Sequence, residues 1–229
     1  MNIQFAALLP MKGHSERVKN KNLRNFNGKP LFYYILKTLM ECKYVSGVYI
    51  DTDSKIISDR VQDYFSDAHI IRRPENLCGD MISMNSIIKY DMDLINMEYY
   101  IQTHATNPLL KTTTLDAACK MFIDNRDEFD SLFSVNRLQT RLYDENGNAI
   151  NHNPNDLIRT QDLPPVYEEN SNFYIFSKTN FKRNNKRIGS KPLMMEINKL
   201  ESIDIDEEND FILAQQIGMM RKMEGFGNG

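Results

Sequence analysis

The chain has 229 residues, 41% hydrophobic and 26% charged, which is enough for one packed domain with or without an excursion and too apolar for global disorder. A net charge of −3 argues against nucleic acid as a partner, no apolar run approaches a membrane span, and the three cysteines (Cys42, Cys78, Cys119) lie too scattered for metal-ligand spacing. Free thiols and the lack of a signal-peptide core lead us to expect a cytoplasmic protein that begins at Met1.

The first predicted strand, Ile3 to Leu9, runs directly into Pro10-Met11-Lys12-Gly13-His14-Ser15-Glu16-Arg17-Val18-Lys19-Asn20-Lys21-Asn22. Lys12, Arg17, Lys19, Lys21, Arg24 and Lys29 fall within eighteen residues, with Glu16 the one acid among them. Such local positive charge on a mildly acidic chain suits a small polyphosphate. Lysines supply point charges and the backbone at Gly13 admits close approach. Cations alone favour a solvated connecting loop, and the position at a strand end together with the ordered motifs further along is what favours the phosphate reading.

Pro30 to Lys43 carries apolar residues at helical spacing (Leu31, Tyr34, Ile35, Leu39). A strand over Val45–Asp51, a helix over Lys55–Phe65 capped by Ser54, and a strand over Ala68–Ile71 follow. Next come a helix over Met84–Asn96, a strand over Tyr99–Gln102, a helix over Leu109–Asn125 and a strand over Ser131–Val135. This alternation predicts an α/β fold: a single Rossmann-like, mostly parallel sheet flanked by helices. Ligands then bind beyond the carboxyl ends of strands, where the loops after Leu9, Ile50 and Gln102 lie. Residues 136–165 break the pattern with Asn, Asp and Pro and an Asn146-Gly147 hairpin signal, which we read as an inserted excursion rather than a second domain. A strand over Phe173–Phe176, the segment Ser202-Ile203-Asp204-Ile205-Asp206, a helix over Glu208–Arg221 and a loose tail over Gly225–Gly229 complete the chain.

Several motifs fall in a familiar order. Pro10 to Arg17, Lys21-Asn22 and Asn27-Gly28-Lys29-Pro30-Leu31 come first, then Asp51-Thr52-Asp53, Arg73-Pro74, His104-Ala105-Thr106-Asn107-Pro108-Leu109, Tyr167 to Tyr174 and Ser202 to Asp206. Together they resemble the acylneuraminate cytidylyltransferase family along nearly the whole of residues 1–229. The resemblance implies a nucleotidyltransferase (GT-A-like) fold that dimerises through residues 136–165. It implies transfer of CMP from CTP to an acidic 2-keto sugar of the sialic, legionaminic, pseudaminic or octulosonic type, with release of pyrophosphate and with Mg²⁺ as cofactor. It places Pro10, Met11, Lys12, Gly13, Lys21, Asn22, Arg73 and Ser83 at the nucleotide, His104, Arg159 and Asn170 at the sugar, and Asp204 and Asp206 at the metal. Lys12, Lys21 and Asp206 become the catalytic candidates.

Two substitutions leave room for other readings. Lys12 stands where the family has arginine and His104 where it has glutamine, so a different sugar or NTP stays open, as does a non-catalytic nucleotide-binding relative. His104 fits a hydrogen-bond donor, a general base or a structural histidine. Asp53 fits a helix cap as well as a site residue. For Asp204 and Asp206, a metal competes with the dipole of the following helix. Of Arg137, Arg141 and Arg159 in the excursion, Arg159 is the expected partner of the sugar carboxylate.

Overall fold

The computed structural model describes residues 3–15 and 17–226. In chain order its elements are β1 (Phe5–Leu8), β2 (Asn25–Phe26), β3 (Lys29–Pro30), α1 (Phe32–Glu41), β4 (Val45–Thr52), α2 (Lys55–Tyr64), β5 (His69–Arg72), α3 (Met84–Leu94) and β6 (Tyr99–Thr103). Then follow α4 (Thr112–Asn125), β7 (Ser131–Leu138), β8 (Val166–Ser177), α5 (Lys178–Asn184), β9 (Pro192–Glu196) and α6 (Glu208–Phe226). The tail expected from Gly225 continues α6 to Phe226, and residues 227–229 lie outside the described residues.

Seven strands form one sheet in the order β5-β4-β1-β6-β8-β7-β9. β5, β4, β1 and β6 run parallel, as the alternation predicts. β8 lies antiparallel between β6 and β7, and β9 runs parallel to β7 at the far edge. β1 reads as an unbroken apolar run because both its faces are covered. Phe5, Ala7 and Leu9 join residues of α1, α2 and α4 in one core cluster, while Ala6 and Leu8 join Ile88, Met92, Tyr174 and Phe181 on the opposite face.

β8 runs over twelve residues, far longer than the predicted Phe173–Phe176, and pairs past the sheet with the extended end of β7. The excursion therefore grows out of a β7–β8 ribbon. Its predicted hairpin forms, with Tyr143 opposite Ala149 and Gly147 at φ 82°. α5 and β9 were not expected from the sequence. Their pattern is obscured by the basic, polar run from Lys182 to Lys191, which carries no alternation. The short β2–β3 hairpin was also missed, although Asn27-Gly28, both at positive φ, is a type I′ pair.

A third cluster joins the two ends of the chain. Val18, Phe26 and Leu31 pack with Ile205, Phe211, Ala214 and Ile217. Arg24 donates both Nη groups to Glu208, each at 2.6 Å, and its guanidinium lies 4.0 Å over the Phe211 ring. This packing, not strand pairing, carries Ser202–Asp206 to the opening loop. That segment is irregular rather than a strand, and Ile205 donates its N–H to the Thr106 carbonyl at 2.9 Å.

Candidate active site

The loops after β1 and β6 meet over the carboxyl ends of the parallel strands and enclose a cleft of ≈ 380 Å³. Pro10, Met11, Lys12, Arg17, Lys21 and Asn22 line one wall, and His104, Ala105, Thr106 and Met84 the other. The chain beyond β1 stays in register with β4, since Leu9 and Met11 donate to the Tyr49 and Asp51 carbonyls at 2.9 and 2.8 Å. Gly13 donates its N–H to Asp53 Oδ1 at 2.6 Å, and a Cβ there would sit 2.8 Å from the Ser54 Cβ. The glycine is thus explained by contact with β4's end, and its N–H is already engaged rather than open to phosphate. Asp53 is a loop anchor, and Ser54 performs the capping by accepting from Ile57 N. Buried Asn22 donates to the Lys12 carbonyl at 2.9 Å, so it shapes the turn from within while lining the cleft.

The cations and the late aspartates converge. Lys21 donates Nζ to the Ile205 carbonyl at 2.6 Å and stands 3.8 Å from Asp206 Oδ1. Arg17 reaches the same carboxylate oxygen at 2.8 Å. Burial holds the Lys21 ammonium below the usual lysine range, opposed by the charges of Asp206 and Asp204. Asp210 Oδ2 accepts from the backbone N–H groups of Asp206 and Glu207 at 3.0 and 2.8 Å. The helix-dipole explanation therefore belongs to Asp210, which leaves the Asp206 carboxylate facing the cations. Asp204 is held above the ordinary carboxylate range by burial first, against a hydrogen bond with Thr106, and its Oδ1 is buried without a hydrogen-bond partner.

Lys12 crosses the cleft mouth to Asp80 Oδ1 at 2.9 Å. Both groups are well exposed, so the pair contributes at most about 1 kcal/mol and yields readily to a stronger anion. Ser83 is the N-cap of α3, accepting from Ser86 N at 3.2 Å; it adjoins the lining residue Met84 but does not itself line the cleft.

His104 forms part of a polar relay. Gln102 donates Nε2–H to His104 Nε2 at 3.1 Å, and Arg187 accompanies it from 3.4 Å. With two donors at Nε2, that nitrogen accepts and the proton resides on Nδ1. Burial, then the charges of Arg187 and Lys21, push the imidazole down to about 3, so it is neutral at physiological pH. His104 so placed keeps its Nδ1–H and does not titrate near neutrality, which argues against a general base.

Three sequence expectations take other places. Arg73 is buried, its Nε paired with Asp51 Oδ1 and its Nη2 donating to the Asp51 carbonyl at 3.3 Å; it sits beneath the loops and not in the cleft. A guanidinium beside a strand-end aspartate is pulled inward by charge pairing. Arg159 is a solvent-facing residue of the excursion held by Asp162 at 2.7 Å, and within this chain it does not line the cleft. Asn170 is buried and donates to Asn136 Oδ1 at 3.0 Å, while its own Oδ1 accepts from Asn172 N at 3.3 Å; it secures the β7–β8 ribbon. Conversely, Arg17 and Arg187 were not singled out. Arg17 was one cation among six on the sequence, and only the fold selects it.

The fold is shared with solved structures of low sequence similarity. Over 96% of this chain and 99% of the other, it superposes with a TM-score of 0.69 and 12% identity on CMP:2-keto-3-deoxy-manno-octonic acid synthetase complexed with CTP. A 4-diphosphocytidyl-2C-methyl-D-erythritol synthase gives a TM-score of 0.68 at 10% identity over 95% and 99% of the two chains. In sequence, the chain is 26% identical over 178 residues to the pseudaminic acid cytidylyltransferase of Campylobacter jejuni, covering 73% of this chain and 75% of that one. It is 27% identical over 219 residues to the N-acylneuraminate cytidylyltransferase of Oncorhynchus mykiss, 93% of this chain but 50% of that one, so it spans half the length of that relative. The cytidylyltransferase family model matches residues 6–222, and the chain belongs to that family of nucleotidyltransferases.

Proposed function

We propose that this protein transfers CMP from CTP to an acidic 2-keto sugar of the sialic, pseudaminic, legionaminic or octulosonic type, releasing pyrophosphate. The observation that carries the reading is the meeting of Arg17 and Lys21, which line the cleft, with Asp206 from the opposite end of the chain. The names of relatives that act on pseudaminic acid, N-acylneuraminate and 2-keto-3-deoxy-manno-octonic acid support the substrate class.

The chemistry brings an anionic sugar oxygen to an α-phosphorus shielded by negative oxygens. Lys12, Arg17 and Lys21 supply the positive charge. Lys12 exchanges Asp80 for phosphate, Arg17 offers a planar fork, and partly desolvated Lys21 acts at short range on the departing pyrophosphate. His104 offers its Nδ1–H across the cleft to substrate oxygen. The sugar's anomeric hydroxyl, once deprotonated, attacks the α-phosphorus and the bond to the β-phosphate oxygen breaks.

Mg²⁺ fits the aspartates that meet the basic wall. Asp204 presents a buried carboxylate oxygen with no hydrogen-bond partner, Asp206 lies two residues on, and hard carboxylate oxygens suit this ion. Among the described residues no cluster of three or more His, Cys, Asp or Glu could hold a metal, so Asp204 and Asp206 would hold the ion together with ligands from outside the chain. Bound there, the ion would neutralise charge developing on the triphosphate. Pairing of two copies through residues 136–165 is part of the proposal, supported by Tyr143, Ile150 and Leu157, exposed at 53%, 62% and 71%. A cytoplasmic site of action is supported by the three free cysteines and by the absence, among the described residues, of a helix long and apolar enough to cross a membrane.

Incubation with CTP, Mg²⁺ and each candidate sugar acid, with pyrophosphate as the readout, tests the reading. Pyrophosphate should appear with CTP and at least one acid. Release with a hexose phosphate and another NTP, and with none of the acids, overturns it.

A further inference from the structure

Arg187 is a guanidinium without a carboxylate partner. Its Nη1 donates to Gln102 Oε1 and lies 3.4 Å from His104 Nε2, and its Cζ lies 3.8 Å from the centroid of the Tyr174 ring, over its face. Among the described residues, no hydrogen bond is made by its Nε or Nη2, and no carboxylate comes within the 4.0 Å of an ion pair. The nearest acid, Glu169, is occupied by the Tyr174 hydroxyl and acts on Arg187 only at longer range. Arginine does not lose its charge, so a partly buried guanidinium in this state is costly unless an anion completes it.

The loop carrying Arg187 is held in place. Asn185, at φ 53°, closes α5. Ser190 and Lys191 donate their N–H groups to the Asp130 carboxylate at 2.8 and 3.2 Å, and Gly189 donates to Ser131 Oγ at 2.8 Å. A Cβ on Gly189 would meet Asp130 Oδ1 at 2.1 Å, so only glycine lets the loop lie this close. Arg187 is thus preorganised rather than a loose surface cation. It adjoins the cleft through His104, which feels the charge of Lys21 as well as that of Arg187. An anion resting against His104 therefore sees a cation on each side.

In a 2-keto sugar acid the carboxylate is bonded to the anomeric carbon, one bond from the hydroxyl that attacks phosphorus. We propose that Arg187, through its unused N–H groups, binds the sugar carboxylate and sets the preference for an acid over a neutral sugar. This inference rests on the sugar-acid reading above and moves the carboxylate contact from Arg159 to Arg187. The forked donor matches a planar carboxylate, and the aromatic face of Tyr174 fixes the fork's plane. With the phosphates on the Lys21 side, this places the anomeric oxygen between the two cations.

The test uses the full chain, the sugar acid it turns over best, and the C1 carboxamide of that sugar, which keeps the shape and removes the charge. Arg187→Gln should raise KM for the acid by about 30-fold or more, the effect of truncating one partner of a buried charge pair. It should leave KM for CTP and the thermal midpoint near wild type and abolish the preference for acid over carboxamide. Arg187→Lys should recover part of that preference. A glutamine variant that keeps the full preference, or that loses CTP and acid affinity together, shows that Arg187 only ties β6, β8 and its loop together, and the inference falls. If the wild-type protein converts no sugar acid at all, the substrate reading fails and takes this inference with it.

Discussion

Replacing Arg73 separates a structural role from a nucleotide-binding one. Its side chain and that of Asp51 are 2% and 0% exposed. Asp91, itself buried beside them, is pushed up to about 9 by burial first and then by the charge of Asp51. Asp91 is therefore protonated at neutral pH, and the buried ion pair beside it is Arg73 with Asp51. Arg73→Met removes the only cation and strands the Asp51 carboxylate where water does not reach. Breaking a buried pair from one side costs about 3–5 kcal/mol. For a chain of this size, at about 2–4 °C per kcal/mol, the thermal midpoint should fall by roughly 6–20 °C. The assay is thermal unfolding alongside KM for CTP, measured well below the transition, with Arg73→Lys as a charge-retaining control. KM for CTP should be unaffected in the folded fraction. A tenfold or larger rise in KM with an unmoved midpoint would show that Arg73 reaches the nucleotide and that the buried-pair argument is wrong.

Lys21→Met should lower kcat by about 10²–10³-fold, as expected for loss of a preorganised charge at the phosphates. It should also cost about 1–3 kcal/mol in stability, because the Ile205 carbonyl loses its donor; a near-normal rate removes Lys21 from the mechanism. Asp91→Asn should flatten the dependence of stability on pH. The folded value of about 9 lies above the ordinary 3.8, so this contribution is complete at low pH and is lost as pH rises towards 9, at about 1.4 kcal/mol per unit within that window. Urea midpoints at pH 5 and pH 8 that differ as much in the variant as in the wild type would refute the assignment. His104→Gln should leave the shape of the kcat/KM profile between pH 5.5 and 8 unchanged, because the imidazole is already neutral there. A limb near pH 6.5 that vanishes in the variant would restore the general-base role.

The parallel half of the fold was legible because β1, β4 and β6 are covered by helices on both sides and write their burial as short apolar runs. The antiparallel half was less so. β8 begins in Val166-Tyr167-Glu168-Glu169-Asn170, where a ribbon outside the sheet has no hydrophobic face to display. Lys21 could be picked out because its motif follows a strand end, and Asp204 and Asp206 only through their motif, since no strand carries them. Arg73 and Asn170 were misplaced for one shared reason. A polar residue type next to a motif does not say whether its partner is a ligand or another buried polar group, and here the partners are Asp51 and Asn136. Arg187 was invisible because neither element flanking its loop had been recognised.

The basic wall of the cleft and the aspartates that meet it are held in different ways, and this has a mechanical consequence. The basic wall is pinned to the sheet: Met11 hydrogen-bonds β4, and Gly13 is fastened to Asp53 at its end. The segment that carries the aspartates has no strand beneath it. Asp204 and Asp206 flank Ile205, which is fully buried in the cluster formed by Val18, Phe26, Phe211 and Ala214, and Arg24–Glu208 closes that cluster from outside. The separation of cations from aspartates is thus set by the packing of α6 on the β2–β3 hairpin. A close-packed interface of this kind shifts as a unit. A large-to-small change at Phe211, remote from substrate, should therefore disturb Asp204 and Asp206 while leaving Met11 and Gly13 in place. Bringing the two carboxylates to the opening loop therefore requires that residues 18–31 and residues 203–217 fold onto one another.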